Sequence, residues 1–258
     1  MRRRGRTPLI GLAALGLAAC GAGEAASPPA PPSTVGNVGN LPGELFDDSS
    51  VPASTDDEPV DVTSLDDDGS SLPTRVGQLA DGNRLLVLGD SILEATSSGY
   101  GGEMCSRLVP HGWAVEIDAE NGRDAGIGLE ILEDRLDEGE EWDAAVVMLG
   151  NNYRNDPEQF DEQLEDILDL LAPGPVLLLT VTEFEEAQAE VNYVIRSEAA
   201  ERDNVQVLDW AERSGHDDSL VGADGLHLSE RGKVALVAMV RLALGEAPSG
   251  SFGDCLDG

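Results

Sequence analysis

The sequence predicts an α/β domain with a parallel sheet covered by helices on both faces, and three observations lead to that class. Short, almost uninterrupted apolar runs recur from residue 83 onward. Each is followed by a stretch whose apolar residues recur at helical spacing, and Gly, Asn and Asp gather where the runs stop. A strand buried on both faces has no solvent side to mark with polar residues, so its run is continuous.

The elements follow in order. "RLLVLGD" (84–90) reads as the first strand and "YGGEMCSRLVPHG" (100–112) as a short helix. "WAVEIDAENG" (113–122) is the second strand, and "GIGLEILEDRLDEG" (126–139) places Ile127, Leu129, Ile131, Leu132 and Leu136 broadly on one helical face. "DAAVVMLGNN" (143–152) is the third strand. "DPEQFDEQLEDILDLLAPG" (156–174) opens with Asp as cap and Pro at the first helical position, then shows a core stripe of Phe160, Leu164, Ile167, Leu168 and Leu171. "PVLLLTVTEF" (175–184) is the fourth strand and residues 185–202 a helix; "NVQVLDWA" (204–211) is the fifth strand and "SERGKVALVAMVRLALG" (229–245) the closing helix. Five strands alternating with helices make a sheet whose ligands gather beyond the strands' C-terminal ends.

The chain ahead of this domain has a different character. "MRRRGRTPLIGLAALGLAAC" carries four arginines in its first six residues, then an apolar stretch, Leu9 to Ala19, too short to span a bilayer as a stable helix. That is the layout of a secretory signal, expected over residues 1–19. Its end, "LAAC", resembles the lipobox of bacterial lipoproteins, which implies cleavage before Cys20, acylation of Cys20 and tethering to the outer face of the cytoplasmic membrane or the cell envelope. An ordinary cleaved signal with an incidental cysteine is the alternative. Residues 20–82 are rich in Pro, Gly, Ala and Ser and then in acids, with no sustained period of 2 or 3.6. They cannot bury enough apolar surface to offset ordering and read as a disordered stalk. The domain is expected over 83–246 and a glycine-rich tail over 247–258.

Of the 258 residues, 50 are acidic and 16 basic, a formal charge of −34, with Lys233 the single lysine. Nucleic acid is excluded as a partner, because phosphate contacts need clustered Lys and Arg. The acidity reads as solubility. With Cys20 lipidated, Cys105 and Cys255 remain, and in an oxidising compartment they invite a disulfide that pins the tail to the domain. Three scattered histidines and lone cysteines lack the clustering of a metal site, and neither metal nor organic cofactor is expected.

Four strand ends carry more than turn chemistry. Gly89-Asp90-Ser91 follows the first strand, Asn121-Gly122-Arg123 the second and Gly150-Asn151-Asn152 the third; Asp224-Gly225-Leu226-His227 precedes the last helix. Each alone is ordinary turn, cap or surface chemistry. Together they supply a serine, an imidazole to accept its proton, a carboxylate to orient the imidazole, and an amide donor for an oxyanion, the parts needed for nucleophilic acyl transfer. Asp224 and His227, three apart, suit one cleft. Gly122 allows close backbone approach.

Gly-Asp-Ser, Gly, Gly-x-Asn and Asp-x-x-His, in this order over about Arg84 to Leu244, resemble the SGNH (GDSL-type) hydrolase family. The resemblance implies a flavodoxin-like three-layer sandwich, Ser91 as nucleophile, His227 as base and Asp224 as its orienting acid. It also implies an oxyanion hole of the Ser91 and Gly122 amides with the Asn152 side chain. "IDAENGR", "AAVVMLGNN" and "VLDWAERSGHDDSLVGADGLHLSERG" resemble the SGNH domains, alone or fused to membrane acyltransferases, that modify cell-envelope glycans. Short acyl esters on a glycan or small molecule are therefore the implied substrates, and the membrane is a partner only through Cys20. A non-catalytic envelope lipoprotein that binds a glycan or protein in the same cleft is the alternative. One departure stands out: the family's third block is commonly Gly-x-Asn-Asp, and Tyr153 takes the last place. Arg123 and Arg154 near the cleft read either as anion binders or as exposed, solubilising arginines.

Overall fold

The computed structural model describes residues 74–256. The signal segment, Cys20 and most of the stalk lie outside the described residues. The domain is a three-layer sandwich around a parallel sheet of six strands rather than five: β1 (Arg84–Gly89), β2 (Ala114–Ala119), β3 (Ala144–Met148), β4 (Val176–Leu179), β5 (Val205–Leu208) and β6 (Asp254–Leu256). Their order across the sheet is β5-β4-β3-β1-β2-β6, with every pairing parallel. The central runs Leu85–Leu88, Ala144–Met148 and Val176–Leu179 are buried throughout, as strands covered on both faces must be.

The helices are α1 (Ser91–Glu94), α2 (Glu103–Leu108), α3 (Ala125–Asp137), α4 (Pro157–Leu171), α5 (Ala187–Ala200), α6 (Trp210–Gly215) and α7 (Glu230–Leu244). The chain moves one way from β1 to β2, then back across β1 to β3, β4 and β5. Right-handed crossovers therefore put α3, α4 and α5 in one layer and α2 and α7 in the other. The packing agrees: α3 lies against α4 and α4 against α5, while α2 lies against α7.

Three expectations are corrected. The fifth strand stops at Leu208, because Asp209 caps a helix: its carboxylate accepts from the Glu212 N–H at 3.0 Å, and Trp210 is fully buried at the helix start. The stalk boundary moves back, since Val76 in the turn Val76–Gln78 is fully buried in the core and the Thr74 carbonyl accepts from Gln206. The tail is part of the sheet: Val115 of β2 pairs in register with Cys255 of β6, and Cys255 is disulfide-bonded to Cys105 of α2 with 5.6 Å between Cα atoms. A three-residue edge strand in a Gly-rich segment has no periodicity to read; the bond and the pairing to β2 hold it.

The register positions the site. Gly89 lies opposite Ala119 on one side and Met148 on the other, so β1, β2 and β3 end level with one another. The chain reverses its direction of travel across the sheet at β1, and the crevice between β1 and β3 is the point where such sheets bind ligands.

Candidate active site

At the end of β1 the chain turns sharply into α1. Gly89 permits this, because a Cβ there would stand 2.6 Å from the Leu93 side chain of the following turn. Asp90 caps α1, its Oδ1 accepting from the Ile92 N–H at 3.0 Å, and Ser91 is the first helical residue. Asp90 is fully buried, and its Oδ2 accepts from the Asn151 side-chain amide at 2.9 Å. Burial pushes this carboxyl up to about 6, against the pull of its Ile92 and Asn151 hydrogen bonds. Asp90 thus ties the end of β1 to the end of β3.

Asp224 and His227 lie on a surface loop before α7. The loop is closed by an antiparallel bridge between Val221 and Leu228 and by the Gly222 N–H donating to the His227 carbonyl at 2.7 Å. Asp224 Oδ1 accepts from the backbone N–H groups of Leu226 and His227, both at 3.1 Å, and Oδ2 meets His227 Nδ1 at 2.7 Å. His227, together with those backbone donors, holds the Asp224 carboxyl down at about 2, so it is ionised at neutral pH. A carboxylate only accepts, so Nδ1 carries the imidazole proton. Nε2 faces Ser91 Oγ at 3.2 Å, and in the neutral ring it accepts from the serine hydroxyl. Ser91, 136 residues from His227 in sequence, is thereby joined to the histidine–aspartate pair.

Two more strand ends complete the site. Gly122 has φ +81°, a left-handed conformation that favours glycine. Beyond β3, the Asn152 side-chain amide donates one N–H to the Arg123 carbonyl at 3.1 Å and keeps a second N–H. Among the described residues, neither the Ser91 nor the Gly122 backbone N–H has a protein acceptor. Three N–H donors without a protein acceptor thus lie beyond the ends of β1, β2 and β3. A cavity of about 430 Å³ adjoins the Asp224 loop, between Phe184 after β4 and Val221–Gly225.

Of the residues singled out in the sequence, Ser91, His227 and Asp224 are joined by hydrogen bonds; Gly122 and Asn152 follow the neighbouring strands β2 and β3, Cys105 and Cys255 are bonded at the β2–β6 edge, and Cys20 lies outside the described residues. One reading needs correction. Arg123 is neither an exposed arginine nor free for a substrate: only 5% exposed, it is folded back onto Asp118. Arg154 is exposed but paired with Asp124. Tyr153 donates its hydroxyl to Glu190 of α5 at 3.1 Å and packs edge-on against Phe160; burial and then Glu190 push it up to about 12. Sequence reasoning missed the Asp90–Asn151 pair and the buried role of Arg123. The pair stood in two of the strand-end motifs, but only the strand order makes them neighbours. Among the described residues no group of three or more His, Cys, Asp or Glu is placed to hold a metal ion, and no helix is long and apolar enough to cross a membrane.

With this geometry, the sequence model of the GDSL-like lipase/acylhydrolase family matches residues 87–235, more than half of the chain. The chain belongs to this family. Membership places it among ester hydrolases and acyltransferases of the SGNH type. The O-acetyltransferase OatA of Staphylococcus aureus (strain NCTC 8325 / PS 47) is 25% identical over 158 residues, 60% of this chain and 24% of that protein. The peptidoglycan O-acetyltransferase OatA of Listeria monocytogenes serovar 1/2a (strain ATCC BAA-679 / EGD-e) is 36% identical over 80 residues, 31% of this chain and 13% of that one. The chain thus spans a quarter or less of these two relatives. Among solved structures, the C-terminal catalytic domain of Streptococcus pneumoniae peptidoglycan O-acetyltransferase A is similar, with a TM-score of 0.51 at 18% identity, over 64% of this chain and 93% of that one. A Clostridium thermocellum family 3 carbohydrate esterase gives 0.52 at 16% identity, over 62% and 94%. At such identities these likenesses speak for the shared GDSL-like acylhydrolase fold.

Proposed function

We propose that the protein is an extracytoplasmic serine esterase or acyltransferase that removes or transfers small O-acyl groups, acetyl foremost, on cell-envelope glycans. The observation that carries this reading is the contact of Ser91 Oγ with His227 Nε2 at 3.2 Å, continued by His227 Nδ1 to Asp224 at 2.7 Å. Ser91 Oγ attacks the acyl carbon while its proton passes to His227 Nε2. Asp224 orients the ring and stabilises the imidazolium. The developing oxyanion takes hydrogen bonds from the Ser91 and Gly122 N–H groups and the free N–H of Asn152. Collapse breaks the ester C–O bond, and His227 returns the proton to the leaving alcohol. Water or a second hydroxyl then attacks the acyl-enzyme, giving up its proton to His227, and Ser91 is regenerated.

The glycan assignment has two supports. The OatA relatives are named as O-acetyltransferases, that of Listeria as one of peptidoglycan. The His227 and Asp224 side chains are 51% and 53% exposed, an open arrangement suited to an ester on a polymer. The Arg-rich leader and "LAAC" support an envelope location with Cys20 lipidated. A fluorophosphonate probe should label the protein at Ser91, and Ser91→Ala should lose labelling together with p-nitrophenyl acetate hydrolysis. Full hydrolysis by Ser91→Ala would remove the nucleophile from this reading.

A further inference from the structure

We propose that Arg123 is a positioning residue that holds the oxyanion-binding turn in register with Asn152; the inference rests on the reading of Ser91, Gly122 and Asn152 given above. Arg123 follows Gly122, and its guanidinium returns to the strand end from which the turn departs. One nitrogen donates to the Asp118 carbonyl at 2.6 Å and another pairs with the Asp118 carboxylate at 2.7 Å. The Arg123 carbonyl, on the other side of the same residue, accepts the Asn152 amide at 3.1 Å. One residue thus anchors the turn on the C-terminal side of Gly122 and directly holds the amide of Asn152.

The other restraints on the turn are weaker: at its start the Glu120 N–H donates to the Gly89 carbonyl at 3.2 Å. Apart from its chain neighbours, no heavy atom lies within 4 Å of the place where a Gly122 Cβ would stand, so no side chain packs over that face of the turn. Within the turn, the Arg123 N–H donates to the Glu120 carbonyl at 3.2 Å, and the Glu120 carboxylate is 3.9 Å from the guanidinium on an exposed side chain. The anchor itself is fixed from behind. Asp118 Oδ2 also accepts from Arg135 of α3 at 3.0 Å; Arg135 pairs in turn with buried Glu116 and lies over the Trp142 ring.

Burial of Arg123 serves stability poorly. Its Nε is buried with no hydrogen-bond partner among the described residues, and a buried guanidinium with an unmet N–H is costly to desolvate. Its rigid planar fork holds a carbonyl and a carboxylate in one fixed geometry, which the freely rotating ammonium of lysine does not impose. A displacement of about 1 Å at such a site costs on the order of 10²-fold in rate.

The test uses the full chain and p-nitrophenyl acetate. Arg123→Met should lower kcat about 10- to 100-fold with KM unchanged, and Arg123→Lys should fall in between. The melting temperature should stay close to that of the wild type, because Asp118 keeps Arg135. Arg123→Met combined with Asn152→Ala should be no slower than the slower single variant within about 3-fold, since both act on one set of donors. Wild-type kcat in Arg123→Met, or losses that multiply in the double variant, would overturn the proposal. If Arg123→Met does not fold, Arg123→Lys with and without Asn152→Ala carries the same comparison. Full activity in Ser91→Ala would instead sink the reading of the site, whereas an inactive Ser91→Ala beside a fully active Arg123→Met sinks only the role of Arg123.

Discussion

Ser91, Gly122 and Asn152 stand at the level ends of three neighbouring strands, whereas Asp224 and His227 stand on a loop that leaves the sheet altogether. The first group is braced from below by buried charge: Asp90 bonded to Asn151, and Arg123 bonded to Asp118. The second is half exposed and braced by its own backbone, through two N–H groups on Asp224 and the short bridge at its base. Donors that stabilise an oxyanion act through fixed position, and a rigid strand end supplies that without reorganisation. A proton-transfer pair needs one good hydrogen bond and a defined tautomer, which a closed surface loop can provide.

Variants that separate these two braces sharpen the comparison. On the loop side, Asp224→Asn should lower kcat by about 10³- to 10⁴-fold, because the imidazole loses the acceptor that fixes its tautomer. The fold should stay intact, since Asp224 is exposed; a loss below tenfold in steady-state kinetics would show that the loop positions His227 without it. On the strand side, Asn152→Ala should lower kcat on the order of 10²-fold with unchanged circular dichroism. Unchanged turnover would take Asn152 out of the donor set.

The next variants leave the chemistry alone and test the scaffold. Cys255→Ser should cost about 2–4 kcal/mol of stability in urea unfolding while leaving kcat near wild type, because the bond closes a 150-residue separation at the β2–β6 edge of the sheet. Two reactive thiols in the denatured, unreduced wild type would contradict the bond.

The smallest expected effect concerns Asp90. Its carboxyl is raised from 3.8 to about 6, so the folded state favours the protonated form. Its contribution is full below pH 3.8 and is lost as pH rises through about 6. Asp90→Asn should therefore gain on the wild type between these values, by on the order of 2–3 kcal/mol, and the gain should level off above them. The difference between the two proteins isolates this group from Asp209, Asp217 and Asp224, whose lowered values act in the opposite sense. Parallel urea midpoints from pH 4 to pH 7 would mean that burial does not govern Asp90.

Much of this was legible in the chain. Leu85–Leu88 and Ala144–Met148 read as central strands because burial on both faces leaves a continuous apolar run. Asp156 with Pro157 marked the start of α4, and the Asp156 carboxylate does accept from the Gln159 N–H. The blocks around Ser91, Gly122, Asn152 and His227 carry the family through their combination and order, since each alone is ordinary turn, cap or surface chemistry. Strand ends were read too long at Thr180–Phe184 and at Asp209–Ala211, because apolar and β-favouring residues continue past the last pairing.

Local spacing and composition are enough to read the α/β class, the burial of the central strands and the residue types of the site. Which strands are neighbours is settled by long-range packing, and everything that depends on neighbours follows from it. Asp90 meets Asn151 across 61 residues, Val115 of β2 takes a sixth strand at Cys255, and Arg123 turns inward. The physical reason is common to all three. Local spacing encodes which face of an element is apolar, whereas a buried charge or a three-residue edge strand is stable only through a partner that the fold brings to it.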